Sequence, residues 1–321
     1  MYAFVSGYAR GITRIGVLSM LGQRVLQVQL TMSNGNVVTL DETLDLRVQT
    51  QSVALGIQAH ASIQVYNLSE QLRLQILSRI NEYQNHLTQS SGSGKPFVPV
   101  TIMAGYSSAA PSSQPASNNS TQIFTGEAYS SRLLSGPPNI GIQIMAATRQ
   151  VDKTAIPAAL PAAQMTFLAA AQYAAAQAGL QLQCTASCNS VTITNPFITA
   201  TNVGQLPKML MYLAPANNPV DVFIDSGTLY VRDRNAIADG STPLAVNEFI
   251  GMPNWNEFGC DFTTLFRTDI RMHTAVAIQS LLNPSLNGNY VPYRIENDLT
   301  SRGEPFYTHV GAALPANASV Q

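Results

Sequence analysis

Three cysteines, four histidines and a scatter of carboxylates are the residues of this chain whose types could carry chemistry. Cys184 and Cys188 lie four apart, Cys260 stands alone, and no histidine falls within forty residues of the pair. A zinc site needs four ligands, so this spacing reads as small buried residues instead of a metal centre. An odd, sparse count is also no disulfide framework. Ser91-Gly92-Ser93-Gly94-Lys95-Pro96 has the look of a phosphate loop, but Gln89 and Pro96 occupy the places where a Walker loop needs Gly and Ser or Thr. Without the magnesium-binding hydroxyl it reads as a linker. Ile224-Asp225-Ser226-Gly227 has the form of an aspartic-protease turn, where two carboxylates share one proton. Only one copy is present, and Phe249-Ile250-Gly251 follows too closely to supply the second element, so Asp and Gly here serve a tight turn. His60, His86, His273 and His309 are scattered, with no nucleophile in a recognisable context. Asp221, Asp225, Glu248 and Glu257 could include a carboxylate pair for glycoside hydrolysis; the competing reading is surface charge. The single tryptophan, Trp255, reads as a packing anchor. No catalytic, cofactor-binding or metal-binding residue is assigned.

The elements that would position such residues come from a chain of 321 residues with a formal net charge of -1. Charged residues make up 11%, against roughly 25% in ordinary soluble domains. Polarity is carried instead by 97 Ser, Thr, Asn and Gln residues, beside 37 Ala. There is no basic excess to grip phosphates, so specific nucleic-acid binding is not expected. There is no acidic excess of the kind that marks a disordered tail. An apolar share of 45% can form a core, and the length suggests two or three domains. Met1-Tyr2-Ala3-Phe4-Val5 lacks the basic start and apolar run of a signal peptide. Between Lys153 and Lys208 run 54 uncharged residues, including the Ala-rich stretch Ala158 to Leu180. Pro161, Gln164, Gln172 and Gln177 interrupt it and alanine inserts weakly, so it reads as a buried amphipathic helix and no membrane insertion is expected.

Period-2 alternation marks strands at Arg24–Met32, Leu44–Val48 and Ile57–Tyr66, with His60 on the polar face of the third. Asn34-Gly35 predicts a hairpin between the first strand and Val37–Leu40, because both residues tolerate positive φ. The period then changes. Glu70 to Gln84 predicts a helix with Leu72, Ile76, Leu77, Ile80 and Tyr83 on one stripe, and Ser69 suits its N-cap. Gln89–Gly94 reads as a flexible link, and the Ser-rich segment 107–121, with sequons at Asn118-Asn119-Ser120-Thr121, as a mobile polar loop. Strands resume at Val98–Ala104, Ile123–Gly126 and Ile140–Ile144. A second unit begins near Val151: Thr166 can cap a helix running to Ala178, Gly179 can end it, and Asp225–Thr228 turns a hairpin between Val220–Ile224 and Leu229–Val231. A third, β-rich unit starts near Phe249.

The run Ala61 to Arg73, containing Tyr66-Asn67-Leu68-Ser69 and Arg73, resembles a motif of phage baseplate hub proteins, in which a strand closes into a capped helix. Further stretches resemble that family in its order: Val98 to Gly105-Tyr106, Ile123-Phe124-Thr125-Gly126, Val222 to Val231, Leu281-Leu282-Asn283-Pro284-Ser285-Leu286, and Arg294 to Ala313. The segment 107–121 is longer than the family's usual turn. The resemblance implies an α+β, mostly β fold, with two tail-tube-like β-barrels at 1–150 and 249–321 flanking an α/β insertion domain at 151–248. It implies a structural, non-enzymatic homotrimer that adapts a sixfold tail tube to a threefold central spike around the channel for genome passage. The implied partners are the tail tube protein and the spike, with tape measure and baseplate wedge proteins beside them. The implied location is the virion tail baseplate, after assembly in the host cytoplasm. No cofactor is implied. The competing readings are a tail-associated hydrolase, protease-like through Asp225 or acting on cell wall, and another tube-fold component such as a distal tail protein.

Overall fold

The computed structural model describes residues 23–316, apart from 33–34, 55–58, 84–85, 88–96, 108–117, 149–162, 195–203 and 238–241. The N-terminal Met1–Val5, the link at Gln89–Gly94, most of the loop at 107–121 and the boundary near Val151 lie outside them. In chain order the first elements are β1 (Gln23–Thr31), β2 (Val37–Leu40), β3 (Asp45–Val53), β4 (His60–Tyr66), α1 (Glu70–Arg79), β5 (Val98–Ser107), β6 (Asn118–Ser135) and β7 (Gly141–Ala147). Next come β8 (Gln164–Thr166), α2 (Phe167–Ala178), β9 (Gln181–Cys184), β10 (Thr192–Thr194), α3 (Gln205–Leu213), β11 (Val220–Asp225) and β12 (Thr228–Asp233). The last are β13 (Leu244–Val246), β14 (Asn254–Trp255), β15 (Gly259–Leu265), β16 (Val276–Ile278), a 3₁₀ turn (Pro284–Leu286), β17 (Gly288–Thr300) and β18 (Phe306–Ala313). The fold is α+β and mostly β.

Local signals place the first elements. β1 and β2 form the hairpin that Asn-Gly announces, with Gly35 at φ +80, a conformation that costs glycine nothing. Ser69 caps α1 by accepting the Leu72 amide. Thr166 accepts the Ala169 amide at the start of α2, and Gly179 ends that helix in the left-handed conformation. α1 is shorter than its apolar stripe suggests. It stops at Arg79, because the Asn81 side-chain amide donates to the Ser78 carbonyl and the Ser131 hydroxyl donates to the Ile80 carbonyl. Tyr83, expected on the buried stripe, is exposed. The polar segment expected to be loop through Thr121 is strand from Asn118, paired with Ser107 to Ala104 of β5.

A 13-stranded sheet follows the path β14-β15-β18-β17-β3-β4-β7-β6-β5-β1-β2, with β16 on β17 and β13 parallel to β16. The path is open among the described residues. β6 is 18 residues long: its first half pairs with β5 and its second with β7, with a register shift between Ala128 and Ser130. The sheet therefore folds over at β6. Leu26, Val28, Val100 and Ile102 from one limb share a cluster with Leu46, Val48, Ile63 and Ile144 from the other. Each such side chain contributes about 1.5–3 kcal/mol by leaving water. Gly126 permits the crossing: a Cβ there would stand 2.4 Å from the Ala147 carbonyl oxygen.

A second cluster holds the Ala-rich face of α2, Leu206 and Leu210 of α3, and β11–β12. Here β9 adds to β12 in parallel, giving a three-stranded sheet. A third cluster packs Phe262, Ile295 and Val310 with Tyr290, and reaches Ala54 and Phe223 from the other parts of the chain. No helix among the described residues is long and apolar enough to cross a membrane.

Candidate assembly face

Strand register aligns polar side chains across the large sheet. Thr263, His309, Glu296, Gln51 and His60 stand side by side on β15, β18, β17, β3 and β4. The adjoining row is Leu265, Tyr307, Asp298, Gln49, Ser62, Met145 and Ser130, ending on β7 and β6. Below β17 a third row runs Arg47, Gln64, Gln143, Arg132. Their strand neighbours Leu46, Val48, Ile63, Val65, Ile142 and Ile144 are buried on the opposite side, as period 2 requires. One polar face thus crosses parts of the chain some 250 residues apart, where Gln51 Nε2 donates to Glu296 Oε1 at 2.8 Å.

The face is cross-linked along its surface. Arg132 Nε donates to Gln143 Oε1 at 2.8 Å, and Gln143 Nε2 donates to Ser62 Oγ at 2.7 Å. Arg294 lies 3.4 Å from Asp261 and 3.9 Å from Glu296. Thr263 Oγ1 and His309 Nδ1 share a hydrogen bond at 2.9 Å. Two shallow hollows of about 370 Å³ each lie on it and share Glu296 and His309. Across this face Asp261, Glu296 and Asp298 balance Arg47, Arg132 and Arg294, so no cationic track for phosphates forms. No cluster of potential metal ligands occurs among the described residues.

The residues singled out in the sequence do not meet at one point. Tyr66 covers Gly141, where a Cβ would stand 2.7 Å from its ring, and Arg47 lies over it at 5.7 Å. Asn67 turns the chain at φ 59, and its amide donates to the Ile140 carbonyl. Leu68 is buried, Ser69 caps α1, and the Arg73 amide donates to the Ser69 carbonyl. Gly105 pairs with Val25, and Phe124 is buried beside Gly126. Tyr106 packs against Phe266 and Phe306 at 6.5 and 5.5 Å, bridging the first cluster to the C-terminal strands. Asn283 Nδ2 donates to the Pro253 carbonyl, and Pro284 starts the 3₁₀ turn. These are geometry-setting positions spread along the chain.

The Asp225 turn has its own partners. Ser226 at φ 49 and Gly227 at φ 84 make a tight hairpin. Burial alone would raise the Asp225 carboxyl, but His273, Arg271 and the Ser226 hydroxyl outweigh it and hold the pKa below the ordinary value. The partner at 3.6 Å is His273 Nδ1, not a second carboxylate. Asp221 pairs with Arg232 and Arg234, while Glu248 and Glu257 are exposed, so the suspected carboxylates are not brought together. Trp255, expected as a packing anchor, is 52% exposed because it sits on the two-residue edge strand β14. Cys188 and Cys260 are buried, and Cys184 Sγ donates to Asn189 Oδ1.

Sequence reading missed the joint around Arg232. This side chain is fully buried. Nη1 donates to the Met272 carbonyl at 2.9 Å and Nη2 to the Pro292 carbonyl at 3.0 Å, while Nε lies 3.5 Å from Asp221. Its guanidinium sits 5.1 Å from the Phe223 ring. Phe223 stacks on Tyr230 at 5.2 Å, and Tyr230 on His273 at 4.9 Å. Burial pushes Asp221 up and Arg232 down despite their attraction, as desolvation does when it outruns pairing. The available signal was Asp221 inside the apolar run Val220–Phe223.

Comparison with known proteins adds the lineage. A family model described as Baseplate hub gp41 matches residues 25–312. The fold is similar to a tail protein from Neisseria meningitidis MC58, with TM-score 0.59 and 12% identity, over 91% of this chain and 97% of that one. It is also similar to the 43 kDa tail protein of prophage MuSo2 from Shewanella oneidensis, with TM-score 0.57 and 9% identity, over 91% and 98%. At such identities these structures speak for the fold alone. Among curated proteins none matches in sequence.

Proposed function

Because the chain belongs to the Baseplate hub gp41 family, we propose that it is the structural hub of a phage tail, three copies of which form a ring joining the sixfold tube to the threefold spike. In this reading 1–150 and 249–321 are the two tube-like barrel domains, and 151–248 is the insertion between them. Three chains with two such units each present six similar positions, which is what a symmetry adapter needs. The polar face is the wall of the channel. Its partners are the tail tube protein and the central spike, with tape measure and wedge proteins adjoining. The hub acts without turnover, and it joins the virion baseplate after assembly in the host cytoplasm.

The observation that carries this reading is the continuity of the polar face from β15 to β6 across both units. A wall with balanced charge and many amides holds water without gripping a passing polyanion. Electron microscopy of the tail tests it: this chain is expected as a threefold ring on the axis between tube and spike. A monomer that joins neither tube nor spike protein rejects the reading.

A further inference from the structure

The segment between β15 and β16, residues 266–275, touches every part of the chain. Phe266 packs into the first cluster, its ring 5.3 Å from Phe306. The Met272 carbonyl receives Arg232 of β12. His273 lies 3.6 Å from Asp225, at the tip of the β11–β12 hairpin, and stacks on Tyr230. Arg271 reaches the other way. Its Nη2 donates to the Gln122 carbonyl of β6 at 2.9 Å, and its Nε to the Thr268 carbonyl at 3.1 Å. Gln122 is not an ordinary strand position. It pairs with Met103, and Phe124 pairs with Ile102, so Ile123 between them has no partner on β5. Such a bulge disrupts the ladder locally, and Arg271 bonds to it from outside the ladder.

Arg271 and Asp225 line one small cavity of about 30 Å³, together with Ser52, Ile123 and Asn297. Opposite charges facing a space enclosed by protein attract more strongly than they do in water. Burial raises the Asp225 carboxyl, and His273 and then Arg271 draw it below the ordinary value. The other nearby cations are committed elsewhere: Arg267 to Asp269 at 2.7 Å, and Arg232 to two carbonyls and Asp221. We propose that Arg271 is a relay with two positions. While His273 holds Asp225, Arg271 stays on Gln122 and pins the β6 bulge. When Asp225 loses His273, Arg271 turns across the cavity to the carboxylate and releases the bulge. A shift of the hairpin tip against His273 is thereby felt at the start of β6, in another unit of the chain. The coupling runs through one side chain with two alternative partners, which is the two-state element such a claim needs. It does not depend on how many copies assemble.

Hydrogen exchange of the full chain at neutral pH, read by mass spectrometry, tests the relay. His273→Phe keeps a ring to stack on Tyr230 but removes the nitrogen that faces Asp225. The amides of 118–122 are then expected to exchange about tenfold faster, the factor carried by one hydrogen bond from a charged donor. Arg271→Met is expected to give the same gain there, and it tests the β6 end of the relay without touching His273. Asp225→Asn alone keeps the wild-type rate at 118–122. Added to His273→Phe, it removes the charge that draws Arg271 away, so the wild-type rate returns; a cycle of this kind isolates the coupling. Exchange in β3 and β17 stays at the wild-type rate throughout, which also shows that the variants fold. The relay falls if 118–122 is unchanged in Arg271→Met or in His273→Phe, or if the double variant remains as fast as His273→Phe. A gain that spreads to β3 and β17 overturns it too, because the effect is then global.

Discussion

The β3–β17 seam and the Arg232 joint each hold together segments far apart in the chain, by opposite means. The seam is a backbone ladder over seven residue pairs, from Arg294–Val53 to Thr300–Arg47. Its side chains add small polar contacts, such as Asn297 Nδ2 donating to Thr50 Oγ1 at 3.0 Å. At the joint, β11–β12 adds no strand to the large sheet. It is held through one buried guanidinium and a stack of rings. A ladder tolerates nearly any side chain and is hard to break by one substitution. A buried charge depends on every partner it has.

The strongest challenge to this contrast is Arg232→Ala. It leaves Asp221 buried without its main partner and is expected to cost about 3–5 kcal/mol, read as a lower urea midpoint and as faster hydrogen exchange in β11 and β12. The double variant Arg232→Met, Asp221→Leu is expected to recover most of that loss, because desolvation of the pair disappears with it. If the single variant costs no more than a surface change, the joint is not held by charge.

At the seam, Thr50→Val removes a buried acceptor from Asn297. It is expected to cost about 1–3 kcal/mol by the same urea titration, with exchange in β11 and β12 unchanged. Asp225 gives the joint a pH dependence. Its carboxyl sits below the ordinary value of 3.8 in the fold. The stability it adds is therefore full above 3.8 and is lost as pH falls through the lower folded value. His273→Ala removes the partner that does most to lower it, and burial then pushes the carboxyl up. The acid limb of β11–β12 exchange protection is expected to move to higher pH; an unmoved limb rules out His273 as that partner. The smallest effect is expected from Gln51→Ala at the seam. It deletes an exposed hydrogen bond to Glu296 and should cost under about 1 kcal/mol in the urea midpoint.

What was legible in the sequence follows the same division. Asn34-Gly35, the Ser69 cap, and the Thr166 and Gly179 bounds of α2 act through neighbours in the chain, so residue type alone reveals them. The β3–β17 pairing has no local mark, because strand alternation tells which face is polar but not which strand lies beside it. Trp255 was misread because size suggests burial, whereas its place on a two-residue edge is a property of the whole sheet. Asp221 was visible as a charge in an apolar run, yet its partner eleven residues on could be named only once β11 and β12 were paired. The stretches that resemble the family's motifs were readable as sequence. Their role as turns, caps and close approaches, such as Gly141 beneath Tyr66, emerges from packing.

The seam also sets a schedule for the ribosome. β3 is made early, but the strand beside it on that flank spans 288–300. At about 5–20 residues per second, the outer edge of β3 waits on the order of 10–50 s for its partner. During that interval the N-terminal unit carries a strand open along one edge, in a chain with few charges to keep neighbours apart. Nascent chains on one message share the same open edge, so translation that stalls between β7 and β17 is the point at which this protein is most exposed to pairing with its own copies.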